Sequence, residues 1–322
     1  MELHPIEIHG EQPDPFRRIF FNECGLRAGW RLPIFIGLLV AIQYAAGKII
    51  SLAMPGLLGP HPDNLTSPFY PFFVRLVFFA CMLLASWMMA SIERRPMGEY
   101  GLPLKNTSVI ALFINGYVLW GFLPLSMLLL MMRALHVFYF GNPALAPAQI
   151  IYWALAWGAV FLVVALVEEY MFRGYLLYTL GDGIGFWPAA IIMAVLFAYG
   201  HARNSGETRI GVIMTAMFAI FASIILWRTG SLWVAVGAHA GWDWGESFFY
   251  GVSDSGIQAP GHLLNPRVQG PDWLSGGSVG PEGSILALFL LMAMSVAAVL
   301  LLRKQPGHPA LVITPASGIS GK

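Results

Sequence analysis

The chain alternates long apolar stretches with short polar connections. Eight stretches reach the length of about 20 residues that lets a helix cross the hydrocarbon core of a bilayer. They lie near residues 32–54, 69–91, 109–132, 150–180, 187–203, 210–227, 231–250 and 284–302. The pattern therefore predicts an all-α fold, a polytopic transmembrane helical bundle with about eight spans.

Two of these stretches have unusual lengths. The fourth is too long for one perpendicular span, and the fifth, which follows Pro188, is short. We predict that the fourth is one tilted helix whose last turns, from Tyr175 to Leu180, leave the hydrocarbon. Gly181 and Gly183 are expected to end it.

The composition supports a membrane protein. Hydrophobic residues make up 57% of the 322 residues and charged residues 11%, against about 25% charged residues in a soluble domain. The mean hydropathy is +0.67. The net charge of +1, with dispersed Lys and Arg, provides no basic surface, so nucleic acid is not an expected partner. The high apolar content instead makes membrane lipid the expected surroundings of most of the chain.

The stretches also divide the chain. We expect a cytoplasmic N-terminal segment (1–31), a single transmembrane domain (32–302) and a cytoplasmic tail (303–322). An even number of spans places both termini on one side of the membrane. Of the 18 Lys and Arg, 12 are expected on that side, and this bias predicts cytoplasmic termini. The connection 251–283 is predicted to be an outer loop that either covers the site or only joins two helices.

Charged residues interrupt the end of the fourth stretch at Glu168, Glu169 and Arg173. Neighbouring helical positions diverge by about 100°, so the two glutamates face different directions, whereas Glu169 and Arg173 can pair at i,i+4. Glu168 is then the freer carboxylate and suits a general base that takes a proton from water. The alternative is a helix end whose charges all reach into the headgroups.

Two more polar constellations lie in the fifth and seventh stretches. Phe197 and His201 share a helix face at i,i+4, with Asn204 just beyond, and His239 and Asp243 repeat that spacing. A histidine and an acid one turn apart can orient each other, donate to an oxyanion or bind a metal. The alternatives are a structural histidine and a polar pair that joins helices.

The three constellations can meet at one depth. At 1.5 Å per residue, Glu168, His201 and His239 lie roughly 18, 20 and 12 Å from the cytoplasmic ends of their helices. Polar residues that serve separate structural purposes need not coincide in depth. The coincidence favours one buried active site between spans 4, 5 and 7.

In this order on separate helices, the motifs resemble the CPBP (CAAX protease and bacteriocin-processing) family, the type II CAAX prenyl endopeptidases. The resemblance covers roughly residues 145–250, the expected catalytic core, and rests on Glu168-Glu169-x-x-x-Arg173, Phe197-x-x-x-His201 and His239-x-x-x-Asp243. It implies a membrane-embedded peptidase, a hydrolase, in a bacterial plasma membrane.

The resemblance also implies roles. Glu168 and His201 would activate water, Glu169 with Arg173 would support them, and His239 with Asp243 would stabilise the oxyanion. The remaining supporting residues would be Phe197 and Asn204. The family often has asparagine where this chain has Asp243, and an ionised aspartate cannot donate to an oxyanion.

The cofactor remains open. Members of the family are often labelled metalloproteases, and a zinc ion held by His201, His239 and Glu168 would keep an open position for water. The same motifs suit a metal-free glutamate mechanism, which we favour, and no other cofactor is implied.

The expected substrate is a hydrophobic or lipidated peptide or protein, such as a CAAX-type prenylated C-terminus. Two other classes of function stay open. A proton-coupled transporter also holds carboxylates and histidines near the midplane, although it typically shows internal repeats, and we find none. A non-enzymatic membrane scaffold or immunity protein could be built on the same fold.

Overall fold

A computed structural model describes residues 19–22, 25–54, 67–103, 109–204 and 206–303. Most of the predicted N-terminal segment and the tail from residue 304 lie outside the described residues. The described strands form two short antiparallel pairs, β1 with β2 and β3 with β4. Their bounds are β1 (Phe21–Asn22), β2 (Gly25–Leu26), β3 (Phe138–Pro143) and β4 (Leu264–Val268).

Helices form the body of the molecule. In chain order they are α1 (Ala28–Ala53), α2 (Phe69–Glu93), α3 (Val109–Ala134, π-helical over Gly116–Phe122), α4 (Pro147–Arg173), α5 (Tyr175–Ile184), α6 (Phe186–His201), α7 (Arg209–Thr229), α8 (Trp233–Trp244, continued as a π-helix over Gly245–Tyr250), α9 (Asp272–Ser275) and α10 (Ile285–Leu301). Short 3-10 helices occupy Met97–Tyr100 and Pro281–Gly283.

The predicted fold class, an all-α membrane bundle, is confirmed. Among the described residues, five helical stretches are long and apolar enough to cross a membrane: α1, α2, α3, α4 together with α5, and α7. The helices α6 and α10 are apolar but shorter. The total of eight spans and the cytoplasmic side of the termini stay predictions.

The fourth apolar stretch is two helices, so the prediction of one tilted helix is wrong. The break lies at Gly174, whose ψ of −130° is outside the helical range. The second helix, α5, continues past the predicted end at Gly181 to Ile184 and packs against α1 and α6. The break therefore lies directly after Arg173, at the end of the first motif.

An ion-pair cluster joins the ends of α1, α2 and α5. Arg31 of α1 contacts Glu93 at 2.7 Å and Asp182 at 3.0 Å, and Arg95 contacts Asp182 at 3.0 Å. The hydroxyl of Tyr175 donates to Glu93 at 2.5 Å. These contacts hold α5 in place and thereby support the end of α4.

The helices α3 and α8 touch at their backbones. A Cβ added at Gly237 would lie 2.2 Å from the carbonyl oxygen of Phe113, and one at Gly241 would lie 2.3 Å from that of Tyr117. Glycine lets two helices approach this closely in a membrane. The contact fixes the position of the helix that carries the third motif.

The connection between α8 and α10 covers one end of the bundle. Its strand β4 pairs with β3, and Nε1 of Trp157 on α4 donates to the carbonyl oxygen of Pro260 at 2.8 Å. Several of its residues line the cavity described below. Of the two roles considered for this loop, the structure supports the covering one.

Candidate active site

The first motif divides its two glutamates between the core and a cavity. The side chains of Glu169 and Arg173 are 0% and 1% exposed, and Oε1 of Glu169 lies 3.2 Å from an Nη atom of Arg173. Glu168 keeps 24% of its side chain exposed and lines the cavity. The helical phase thus gives the two carboxylates different surroundings, as expected.

Glu169 has a second partner, which the sequence analysis missed. Nδ1 of His239 lies 2.9 Å from Oε1 of Glu169, so the Nδ1–H of the ring donates to the carboxylate. The other ring nitrogen, Nε2, lies 3.7 Å from Oε2 of Glu168 and 3.4 Å from Oδ2 of Asp243. The buried carboxylate of Glu169 therefore directs Nε2 of His239 toward the other two acids.

The second motif holds His201 at the end of α6. Nδ1 of His201 lies 2.9 Å from the carbonyl oxygen of Phe197, to which its N–H donates. The ring centre of Phe197 lies 4.4 Å from that of the imidazole. The guanidinium of Arg173 packs over the same phenyl ring, 4.7 Å from its centre. These contacts direct Nε2 of His201 toward Glu168, whose Oε2 is 3.9 Å away.

Oε2 of Glu168 is the point where the motifs converge. It lies 3.9 Å from Nε2 of His201 and 3.7 Å from Nε2 of His239. Within the described part of the chain this buried oxygen has no hydrogen-bond partner. Both separations exceed a direct hydrogen bond but suit a bridging water.

Residues of all three motifs line one cavity of about 640 Å³. Its lining includes Glu168, His201, Asn204, His239 and Asp243. Its apolar wall includes Trp157, Val160, Phe161, Val164, Tyr70 and Val74. The cavity thus joins a polar centre to an apolar wall formed by α4 and α2.

Arg75 of α2 also lines the cavity. Among the described residues it is the one Lys or Arg of the lining, and no ion pair involves it there. The sequence analysis did not single out Arg75 as a candidate. An ionisable side chain that faces a cavity within a membrane helix is a candidate functional residue.

Three acids near the cavity were also missed by the sequence analysis. Carboxylate oxygens of Glu246, Asp254 and Glu282 lie within 4.8 Å of one another. Burial first, and then the charges of Asp243 and Glu282, raise the pKa of Asp254 well above its ordinary value. Burial likewise raises the pKa of Glu282. No local spacing signals this group, because its members come from α8, the loop and the turn before α10.

The three zinc ligands considered from the sequence do not gather tightly. Nε2 of His201 and Nε2 of His239 lie 3.9 and 3.7 Å from Oε2 of Glu168, but among the described residues the three ligand atoms do not form one compact group. Ligands of one tetrahedral zinc ion lie about 3.5 Å apart. These residues therefore do not fit a preformed zinc site.

Comparison with protein-family models matches residues 150–245 to a family described as type II CAAX prenyl endopeptidase Rce1-like. No curated protein and no solved structure matched the chain in the corresponding comparisons. The matched segment contains all three motifs. The resemblance that the motifs carry is thus confirmed over residues 150–245.

Proposed function

We propose that the chain is an intramembrane endopeptidase that hydrolyses a peptide bond with water activated by Glu168 and His201. The observation that carries this proposal is Oε2 of Glu168, which has no hydrogen-bond partner among the described residues and faces Nε2 of His201 and of His239. A water held there would contact a carboxylate and an imidazole at once.

The contacts of His201 support its part in the first step. The Nδ1–H of His201 donates to the carbonyl oxygen of Phe197, so its Nε2 is an acceptor. A bound water can therefore donate one O–H to Nε2 of His201 and its second O–H to the carboxylate of Glu168. Glu168 takes a proton as the water oxygen attacks the carbonyl carbon, which forms the C–O bond and moves the π electrons to oxygen. When the C–N bond breaks, Glu168 returns the proton to the leaving amine.

His239 is the proposed donor to the oxyanion. Its Nδ1 and Nε2 both face carboxylate oxygens, so a doubly protonated ring has an acceptor at each N–H. The Nε2–H would turn from Asp243 to the oxyanion as negative charge develops. Asp243 then orients His239 rather than donating to the oxyanion, which removes the difficulty posed by an ionised aspartate.

The lining of the cavity supports a hydrophobic or lipidated peptide as substrate. The side chains of Trp157 and Phe161 offer an apolar surface, and Arg75 offers a positive charge in the same cavity. A CAAX-type C-terminus carries both an apolar chain and a terminal carboxylate. We therefore propose that the apolar wall takes the chain and that Arg75 binds the carboxylate.

The test is peptide cleavage by the purified protein in detergent. With a fluorogenic prenylated CAAX peptide, Glu168→Gln should lower kcat by about 10²- to 10⁴-fold, the usual contribution of a general base, without lowering Tm. Glu99→Gln, a carboxylate outside the cavity lining, is the matched control and should keep full activity. Near-normal cleavage by Glu168→Gln would refute the assignment of the base. A wild-type protein that cleaves neither CAAX nor other membrane peptides would refute the endopeptidase.

A further inference from the structure

The acids Glu246, Asp254 and Glu282 form a compact group beside the catalytic cavity, which we call the acid cluster. Glu246 comes from the π-helical end of α8, Asp254 from the start of the covering loop and Glu282 from its end. Each offers a carboxylate oxygen within 4.8 Å of the other two. The cluster therefore lies where both ends of the loop meet α8.

Glu246 is the member that points to a ligand. It is 0% exposed, and within the described residues neither of its carboxylate oxygens meets the geometry of a hydrogen bond, although the indole N–H of Trp242, which also has no partner, lies near. An unsatisfied buried carboxylate is strongly unfavourable unless a proton or a cation compensates it. Glu246 is thus a buried carboxylate without a well-formed hydrogen bond, and it lies against two further acids.

The other two acids are held in position by serines. Oδ2 of Asp254 accepts a hydrogen bond from the hydroxyl of Ser247 at 3.2 Å. Oε2 of Glu282 accepts from the backbone N–H of Ser255 at 3.1 Å and from its hydroxyl at 3.0 Å. These bonds fix the carboxylates while leaving the second oxygen of each for a ligand.

The basic side chains near the cluster are histidines: His201 acts on Glu282 and His239 on Asp254, and both effects are smaller than that of burial. Within the described ranges, no Lys or Arg pairs with any of the three acids. Three ionised carboxylates at this spacing repel one another, and the repulsion is strong where water is excluded. A cation between them would relieve it.

We propose that the acid cluster binds a divalent cation of the calcium type, which fastens both ends of the covering loop to α8. Carboxylate and hydroxyl oxygens are hard ligands, which Ca²⁺ and Mg²⁺ prefer, whereas zinc prefers nitrogen and sulfur. The three oxygens lie within 4.8 Å of one another, close enough for one ion, and Ca²⁺ is commonly held by protein oxygens alone, whereas Mg²⁺ usually keeps several waters.

The site is separate from the proposed catalytic groups but shares their helix. Glu246 lies three residues after Asp243 on α8, and Asp254 and Glu282 line the catalytic cavity. The cation would therefore hold the loop over the cavity without contacting the reacting atoms. Its binding can be measured without any cleavage assay, so it can fail independently of the proposed function.

The experiment is calcium binding by the full chain in a non-ionic detergent after treatment with EDTA and dialysis. Isothermal titration with CaCl₂ should show one site per chain, and Ca²⁺ should raise Tm and protect the loop 251–283 from added protease. Asp254→Asn and Glu282→Gln should each weaken calcium binding about tenfold or more, because each removes one ligand charge. Asp272→Asn, an exposed acid of the same loop outside the cluster, should bind calcium as the wild type does.

Two results would overturn the proposal. One is a wild-type protein that shows no heat and no change of Tm up to millimolar CaCl₂, which would mean that shared protons balance the cluster. In that case Glu246→Gln should raise Tm in the absence of calcium. The other is calcium binding that Asp254→Asn and Glu282→Gln leave unchanged, which would place the ion elsewhere.

Discussion

Oε1 of Glu169 lies 2.9 Å from Nδ1 of His239, so a buried carboxylate on α4 directs an imidazole on α8. The same oxygen contacts Arg173 at 3.2 Å. A histidine that donates Nδ1–H to a carboxylate has its tautomer and orientation set by that bond. Glu169 is therefore a positioning residue, whereas its neighbour Glu168 faces the cavity.

Glu169→Gln should damage both stability and activity. The change leaves Arg173 buried without its counter-charge, which typically costs about 3 to 5 kcal/mol, and weakens the bond that orients His239. We expect a lower Tm, and a kcat reduced by about 10- to 100-fold with little change in KM. Thermal unfolding and steady-state kinetics check the two effects.

The adjacent variant Glu168→Gln is the natural comparison. It should lose activity while keeping Tm, because Glu168 is partly exposed to the cavity and has no ionic partner as close as that of Glu169. If Glu169→Gln kept both Tm and kcat, the positioning role would be wrong.

Asp243→Asn tests whether His239 needs a hydrogen-bond acceptor at position 243 or the negative charge of the aspartate. Asparagine keeps a carbonyl oxygen that can accept from Nε2 of His239 and adds an N–H₂ donor for an oxyanion. We expect kcat within about tenfold of the wild type, whereas Asp243→Leu, which removes the acceptor, should lower it by about 10² or more. Equal losses in the two variants would show that the negative charge itself is required.

Local relations were predictable from the sequence. The pairs Glu169–Arg173 and His239–Asp243 follow from i,i+4 spacing on a helix, and the contrast between Glu168 and Glu169 follows from helical phase. The meeting of the motifs followed from helix length. Their catalytic roles remain proposals.

Relations between distant segments were not predictable. Glu169 and His239 are 70 positions apart, and their contact depends on how α4 packs against α8. The presence of a glycine was not enough to predict the helix break after Arg173, because Gly158 in the same stretch remains helical while Gly174 does not. The acid cluster depends on the path of the loop, which the pairing of β3 with β4 helps to fix.

Gly241→Ala should destabilise the bundle. The added Cβ would lie 2.3 Å from the carbonyl oxygen of Tyr117, so α8 and α3 would have to separate. Overpacking of this kind typically costs about 1 to 3 kcal/mol, and thermal unfolding in detergent should show a lower Tm. Gly47→Ala in α1 is the matched control, because nothing lies within 4 Å of its added Cβ. Equal Tm values for the two variants would contradict the close contact.

Arg75→Gln should change how the enzyme binds the end of its substrate. If Arg75 meets a terminal carboxylate, its loss should raise KM for a peptide with a free C-terminus about tenfold or more and leave kcat nearly unchanged, because the contact lies away from the reacting bond. The same peptide with a C-terminal amide should bind weakly to the wild type and be unaffected by the substitution.

Lys48→Gln in α1 controls for a general change in charge, because this exposed side chain does not line the cavity. It should leave KM unchanged for both peptides. Should Arg75→Gln affect the acid and the amide equally, Arg75 would contribute to the shape of the cavity and not to recognition of the carboxylate. The paired peptides thus separate a charge contact from a packing effect, and they do so whether or not the substrate carries a prenyl group.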